Sequence, residues 1–282
     1  MPAGGFSTGS GKSFRSDATA WGGLVLLFCD QQNPILKAAQ TCLSEVQAVD
    51  GSVGIAESHP DVYWPTALSV LAWDRSAIHV SHQRRGVQFL LQSTGRHWKK
   101  PTEHPGMHDT SIPGWAWTAN THSWVEPTSL ALCALRNCGF ADHQRVSDGV
   151  RLLMNRQIPS GGWNYGNTSV FGTELHPNPE STGAALQALA GLVPAQHIQR
   201  SLDYLKGELE RVRTPIGLGW TLLGLGAWGE APQDSHELIY RALARQERYG
   251  MYDTSSLALL LLPLVASGGI VTRRPPKVPP VS

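Results

Sequence analysis

The chain has 282 residues, enough for one large domain or two small ones, and Lys+Arg 23 against Asp+Glu 22 gives a formal net charge of +1. Without basic blocks or stripes, this balance argues against nucleic acid as a partner and against an electrostatic membrane anchor. Charged residues are only 16% of the chain while Trp numbers 10, so an unusual amount of indole must be buried or displayed.

Residues 1–16 are rich in Gly and Ser and read as a disordered tail. The apolar run 20–29, behind Lys12 and Arg15, has the look of a secretory leader. Asp17 interrupts the basic part and no small-x-small cleavage site follows, so the run reads as a first helix. It is well short of the ~20 apolar residues that a membrane span needs. The cysteines Cys29, Cys42, Cys133 and Cys138 form no C-x-x-C pair, which fits a reducing, cytoplasmic compartment.

From there two kinds of helix alternate. Segments 18–29, 65–73, 128–135, 182–189, 217–228 and 254–262 are nearly free of charge and rich in Ala, Leu and Gly. Segments 34–46, 81–92, 147–156, 196–210 and 235–246 are amphipathic, with charges on one face. A helix that is apolar all round is buried, and an amphipathic one faces water on one side. Strict alternation therefore predicts two concentric rings of helices, an all-α α/α toroid of about five to six hairpins over residues 17–266. The rival is an open solenoid; closure is preferred because Gly and Ala allow the close approach that a small ring requires. Residues 267–282, Gly- and Pro-rich with Arg273, Arg274 and Lys277, read as a second tail.

A turn recurs between the helices as Gln-x-x-x-Gly-x-aromatic, at Gln157, Gly161, Trp163 and at Gln246, Gly250, Tyr252. Looser copies are Gln47, Gly51, Val53 and Gln92, Gly95, Trp98, the last assigning Trp98 to a turn. Glycine permits the positive φ of a tight turn. The glutamine suits the orphan backbone groups of a helix end, and the aromatic ring covers that polar knot. A threonine then opens each apolar helix (Thr66, Thr128, Thr182, Thr254) and suits an N-cap, although Pro65 and Pro127 leave the cap position open by a residue. Repetition of this kind is structural: one hairpin cannot bury its own apolar face.

These turns between alternating helices resemble the QW repeats of the terpenoid cyclase and protein prenyltransferase superfamily, which includes squalene–hopene cyclases. The resemblance covers about residues 17–262 and is strongest at 157–163 with Thr182 downstream. It implies an α/α toroid that handles isoprenoids. In squalene–hopene cyclases an Asp-x-Asp-Asp-Thr-Ala motif opens one inner helix, and its middle acid protonates the substrate. The matching stretch here is Trp124-Val125-Glu126-Pro127-Thr128-Ser129, so the resemblance puts Glu126 at the proton-donor position, without the flanking acids. Glu180 occupies the same place before Thr182, and Asp253 is a third acid at an inner-helix start. The prenyltransferase branch holds Zn²⁺ through an Asp-x-Cys pair that this chain lacks, so no cofactor and no stoichiometric zinc are expected.

At the start of its helix Glu126 feels two opposed effects: the dipole favours the carboxylate, while burial against tryptophan would keep the proton on. The bland alternative is a helix cap or salt bridge. Trp115, Trp117 and Trp124 crowd one Gly/Pro/Thr-rich loop, where indole faces can stabilise a cation by roughly 0.5–2 kcal/mol each. Trp64, Tyr165 and Trp220 are further candidates for an apolar central cavity, which would equally suit any greasy ligand. His104 and His108 are separated by Pro and Gly, so no helix fixes their geometry for a metal. Paired carboxylates on an α/α toroid also describe several glycosidase families, although polar sugar-binding loops are sparse here. The resemblance favours an enzyme of the isomerase class that cyclises or isomerises a polyprenyl ligand, with peripheral membrane contact as a route to it. The alternatives are a non-catalytic lipid- or peptide-binding toroid and a prenyltransferase β-subunit-like chain that needs a protein partner.

Overall fold

The computed structural model describes residues 4–9, 12–99 and 108–272. Its helices are α1 (Ser16–Cys29), α2 (Pro34–Glu45), α3 (Pro65–Ala72), α4 (Val80–Gln92), α5 (Val125–Asn137), α6 (Gln144–Arg156), α7 (Pro179–Leu189), α8 (Gln199–Glu208), α9 (Pro215–Ala227), α10 (Ser235–Ala244), α11 (Gln246–Tyr249) and α12 (Thr254–Val265). A short antiparallel hairpin, β1 (Ser169–Val170) with β2 (Thr173–Glu174), precedes α7.

The apolar helices α1, α3, α5, α7, α9 and α12 pack side by side in that order, and α12 returns to α1. The ring is closed, which excludes the open solenoid. Helices α2, α4, α6, α8 and α10 lie outside, each burying one stripe: in α6, for example, Val146, Gly149, Leu152 and Leu153 are buried. Glycine sets the inner spacing. A Cβ on Gly183 would collide with the Trp220 backbone of α9, and one on Gly219 with the Leu259 carbonyl of α12.

The recurring threonines do a different job from capping. Thr66 Oγ1 accepts the Val53 N–H at 2.8 Å, Thr128 that of Trp115 at 3.0 Å, and Thr182 that of Trp163 at 2.9 Å, and each hydroxyl sits against the same residue's carbonyl. Each therefore staples the preceding turn onto its inner helix from the first turn, and Asn178, Thr214 and Asp253 supply the side-chain caps of α7, α9 and α12. The glutamines also reach further than expected, tying the turn to the next outer helix. Gln47 Nε2 donates to His82 O of α4 at 3.0 Å, and Gln157 Nε2 to His197 O at 3.1 Å and Ser201 Oγ at 3.0 Å. Gly51, Gly161 and Gly250 take φ of +93°, +112° and +94°, as the turn demands.

The turn at Gln92 and Gly95 departs from the reading. Trp98 is 50% exposed, and the buried turn aromatic is Trp115, 1% exposed, whose Nε1 donates to Leu90 O at 2.9 Å. The chain leaves the turn after Gly95 and returns at Gly114, where Gly95 N donates to Gly114 O at 3.1 Å, so an excursion separates the two halves of the repeat.

Both segments read as tails are, in their described parts, bound to the ring. Phe6 N donates to Thr19 Oγ1 at 2.9 Å, the staple seen in the other repeats, and Thr254 Oγ1 donates to Ser7 O at 2.6 Å. This strand therefore joins α1 to α12, where the ring closes. At the other end Ile270 N donates to Gln187 of α7 at 3.2 Å and Thr272 N to Asn137 of α5 at 2.9 Å, with Ile270 1% exposed. The chain after α12 thus crosses the ring at the C-terminal ends of the inner helices, leaving the N-terminal ends as the mouth. The remainder of the second tail, 273–282, lies outside the described residues, as does His104. Thr19→Val should strand the half-buried Phe6 N–H and lower stability by about 1–3 kcal/mol, read by urea melts; a wild-type midpoint would mean that the N-terminal segment does not hold the ring shut.

Candidate active site at the ring mouth

Glu126 and Glu180 occupy equivalent places in the first turns of the adjacent inner helices α5 and α7. Their positions follow from the staples: Trp124 N donates to Trp115 O at 3.0 Å and Asn178 N to Trp163 O at 2.9 Å, fixing where each helix begins. Glu180 Oε1 accepts a hydrogen bond from Thr214 Oγ1, the cap of α9, at 3.3 Å. Among the described residues the Glu126 carboxyl has no hydrogen bond or ion pair, so the capping and salt-bridge reading does not describe it.

Glu126 is half-buried and densely surrounded, and its pKa is pushed up to about 7, by burial first and then by the charge of Glu180. Desolvation therefore outweighs the helix dipole. The native state holds a proton that the unfolded chain releases between the ordinary value of 4.5 and about 7. A raised acid pKa favours folding where the acid is protonated, so this contribution is full below about pH 4.5 and declines as pH rises to about 7, by roughly 1–3 kcal/mol. Urea melts of wild type across that interval should show the decline and Glu126→Gln should lack it; parallel curves would remove the raised pKa.

The other expected site residues fall in different places. Trp64, at the start of α3, meets Trp117 edge-on at 5.1 Å, and both are half-buried on the α3 side of the mouth. Trp115 and Trp220 belong to the core instead of a pocket: Trp115 is the turn aromatic described above, and Trp220, 1% exposed, packs edge-on against Trp21 at 5.6 Å. Tyr165 is 58% exposed. Asp253 caps α12, its two oxygens accepting from Ser256 N at 3.0 Å and Ser256 Oγ at 2.7 Å, which leaves the carboxylate in a structural role.

Trp124 lines a cavity of about 260 Å³ beside the mouth, together with Arg96, Trp98, His122, Ser123 and Arg156. Its described walls come from residues 96–98, 108–112 and 122–124, the end of α6 and residues 166–167, not from the ring axis where the Trp-lined cavity was expected. No sequence motif marks it, because its walls come from distant segments. Cys133, buried in α5, has its thiol pushed up to about 12 by burial. Among the described residues no group of three or more His, Cys, Asp or Glu has metal-binding geometry, and no helix is long and apolar enough to cross a membrane.

No family model and no curated protein matches the chain. Solved structures do. A variant of type II terpene cyclase MstE from Scytonema, in complex with geranylgeranyl dihydroxybenzoate, superposes with TM-score 0.60 at 13% identity, covering 93% of this chain and 91% of that one. ent-Copalyl diphosphate synthase from Streptomyces platensis gives TM-score 0.56 at 14% identity over 92% of this chain and 50% of its own. A family 76 glycoside hydrolase (mannosidase) from Bacteroides thetaiotaomicron gives TM-score 0.55 at 10% identity, over 93% and 94%. Likeness at such identities shows the fold alone. The chain is an all-α α/α toroid, a terpenoid-cyclase-like fold that family 76 glycoside hydrolases also adopt.

Proposed function

We propose that the protein is an acid-initiated cyclase or isomerase of a polyprenyl substrate, with Glu126 as the proton donor. The observation that carries this reading is the Glu126 carboxyl, without a hydrogen-bond or ion-pair partner among the described residues and raised to about 7. A neutral acid in a desolvated site is what protonation of an alkene requires. In the proposed step the Glu126 O–H bond breaks and a C–H bond forms at one alkene carbon, leaving a carboxylate and a carbocation. Attack by a second double bond closes a ring, and loss of a proton to Glu180 or water regenerates an alkene. Trp64 and Trp117 offer the mouth aromatic faces for the cation. The likeness to type II terpene cyclases supports the reading at the level of fold. A cytoplasmic location, with peripheral membrane contact to collect the ligand, goes with this reading, and the sequence carries no C-x-x-C pair.

The test is mass spectrometry and chromatography after incubation with a panel of linear polyprenyl substrates. A product of unchanged mass and altered retention is expected. Binding of the panel without any product would favour the non-catalytic binding toroid. A second reading, hydrolysis of a glycosidic bond by Glu126 and Glu180, is favoured by one observation: the two carboxylates interact electrostatically across adjacent helices. Release of sugars from oligosaccharides in the same assay would select it.

A further inference from the structure

The cavity beside the mouth is walled by side chains that the reaction at Glu126 does not use. Among the described residues, its charged or titratable lining residues are Arg96, His108, His122 and Arg156, all basic. Arg156 is 5% exposed, and its Nη1 donates to the Asp109 backbone carbonyl at 3.0 Å and to Asn155. Among the described residues neither its Nε nor its Nη2 makes a hydrogen bond, and no carboxylate is within ion-pair distance. The Asp109 carboxylate, whose charge reaches this guanidinium, accepts from Ser111 N at 2.9 Å and Ser111 Oγ at 2.7 Å. Burial lowers the Arg156 pKa to about 10, which still leaves it charged at neutral pH. A buried cation without a paired anion is costly, and a guanidinium fork suits a two-oxygen anion. Arg96, exposed at the rim, likewise has no hydrogen bond or ion pair from its guanidinium among the described residues.

The same cavity has an aromatic wall. His122 lies 4.2 Å from Trp124 with ring planes tilted by 36°, and Trp98 meets His122 edge-on at 6.4 Å. Burial, then the charge of Arg156, lowers the His122 pKa, which favours the neutral ring and leaves the arginines as the cavity's main positive charge among the described residues. A volume of about 260 Å³ is below the ~300–1,000 Å³ of drug-sized sites, which selects a small molecule. We infer that this cavity binds a small oxyanion, a carboxylate or a phosphate, carried on a flat ring that stacks against Trp98 and Trp124, with Arg156 and Arg96 holding the oxygens. The site is separate from Glu126 and stands whether or not the protein is a cyclase.

The experiment is isothermal titration calorimetry of the full chain with inorganic phosphate, phenyl phosphate and benzoate. Phenyl phosphate or benzoate should bind, and the preferred one identifies the anion. Arg96→Gln, at the rim, should weaken binding about tenfold, the scale of one lost charge-assisted hydrogen bond. Trp98→Ala should weaken the aryl ligand and leave inorganic phosphate unchanged. Arg156→Lys keeps the charge and loses the fork, and should cost at least as much as Arg96→Gln if the variant melts as wild type does. No heat with any probe on folded wild type, or wild-type binding by Arg96→Gln and Trp98→Ala together, would overturn the inference. So would equal loss of binding in Glu126→Gln, which would move the anion to the mouth.

Discussion

Glu126→Gln is expected to remove turnover of a polyprenyl substrate while leaving the fold and ligand affinity intact. The amide has nearly the shape of the protonated acid but no proton to give, and general acids contribute typically about 10²–10⁴-fold. Because the acid form does the work and its pKa is about 7, wild-type activity should fall as pH rises through 7. Glu180→Gln should be milder, and should move that fall to lower pH, since the Glu180 charge is one cause of the raised value. Product analysis over roughly two pH units either side of the Glu126 value reads both effects. Full turnover in Glu126→Gln would take this acid out of the mechanism. An unshifted profile in Glu180→Gln would mean that burial alone sets its pKa.

Ring architecture was legible because it rests on patterns that repeat. Charge-free helices alternating with amphipathic ones admit few packings, and the staple residues recur at fixed places. Glu126 was legible for the same reason: it stands two residues before Thr128, as Glu180 does before Thr182. What escaped reading lay where local composition misleads. Gly4, Gly5 and Ser7 make the N-terminus look unstructured, yet Phe6 precedes Thr19 by the spacing that separates Val53 from Thr66 and Trp115 from Thr128. Matching turn to threonine, instead of turn to turn, would have found it. The β1–β2 hairpin lengthens this interval between Trp163 and Thr182, which hides the regularity in the strongest copy. The side cavity had no such signal, since Arg96, His122 and Arg156 are distant in sequence and meet only in the folded chain.

The exchange between Trp98 and Trp115 gives the sharpest test of how the repeat is drawn. Trp115→Ala should lower stability by about 3–5 kcal/mol, the usual scale for a buried indole. Three losses add up there. Truncation opens a void beside α4 and α6, and it leaves the Leu90 carbonyl at the end of α4 with only the 3.5 Å hydrogen bond from Ser93 Oγ in place of the 2.9 Å bond from the indole N–H. It also takes away the ring face under Arg145, whose guanidinium carbon lies 4.0 Å from the centroid. Trp163 makes the matching bond to Leu153 O of α6 at 2.7 Å, so Trp163→Ala should cost about the same. Trp98, half exposed, should cost less than about 1 kcal/mol when truncated. Urea melts of the three variants decide the matter. Equal losses for Trp98→Ala and Trp115→Ala would restore the Gln92-Gly95-Trp98 turn; a cost confined to Trp115 and Trp163 means that the excursion was inserted inside an otherwise regular repeat.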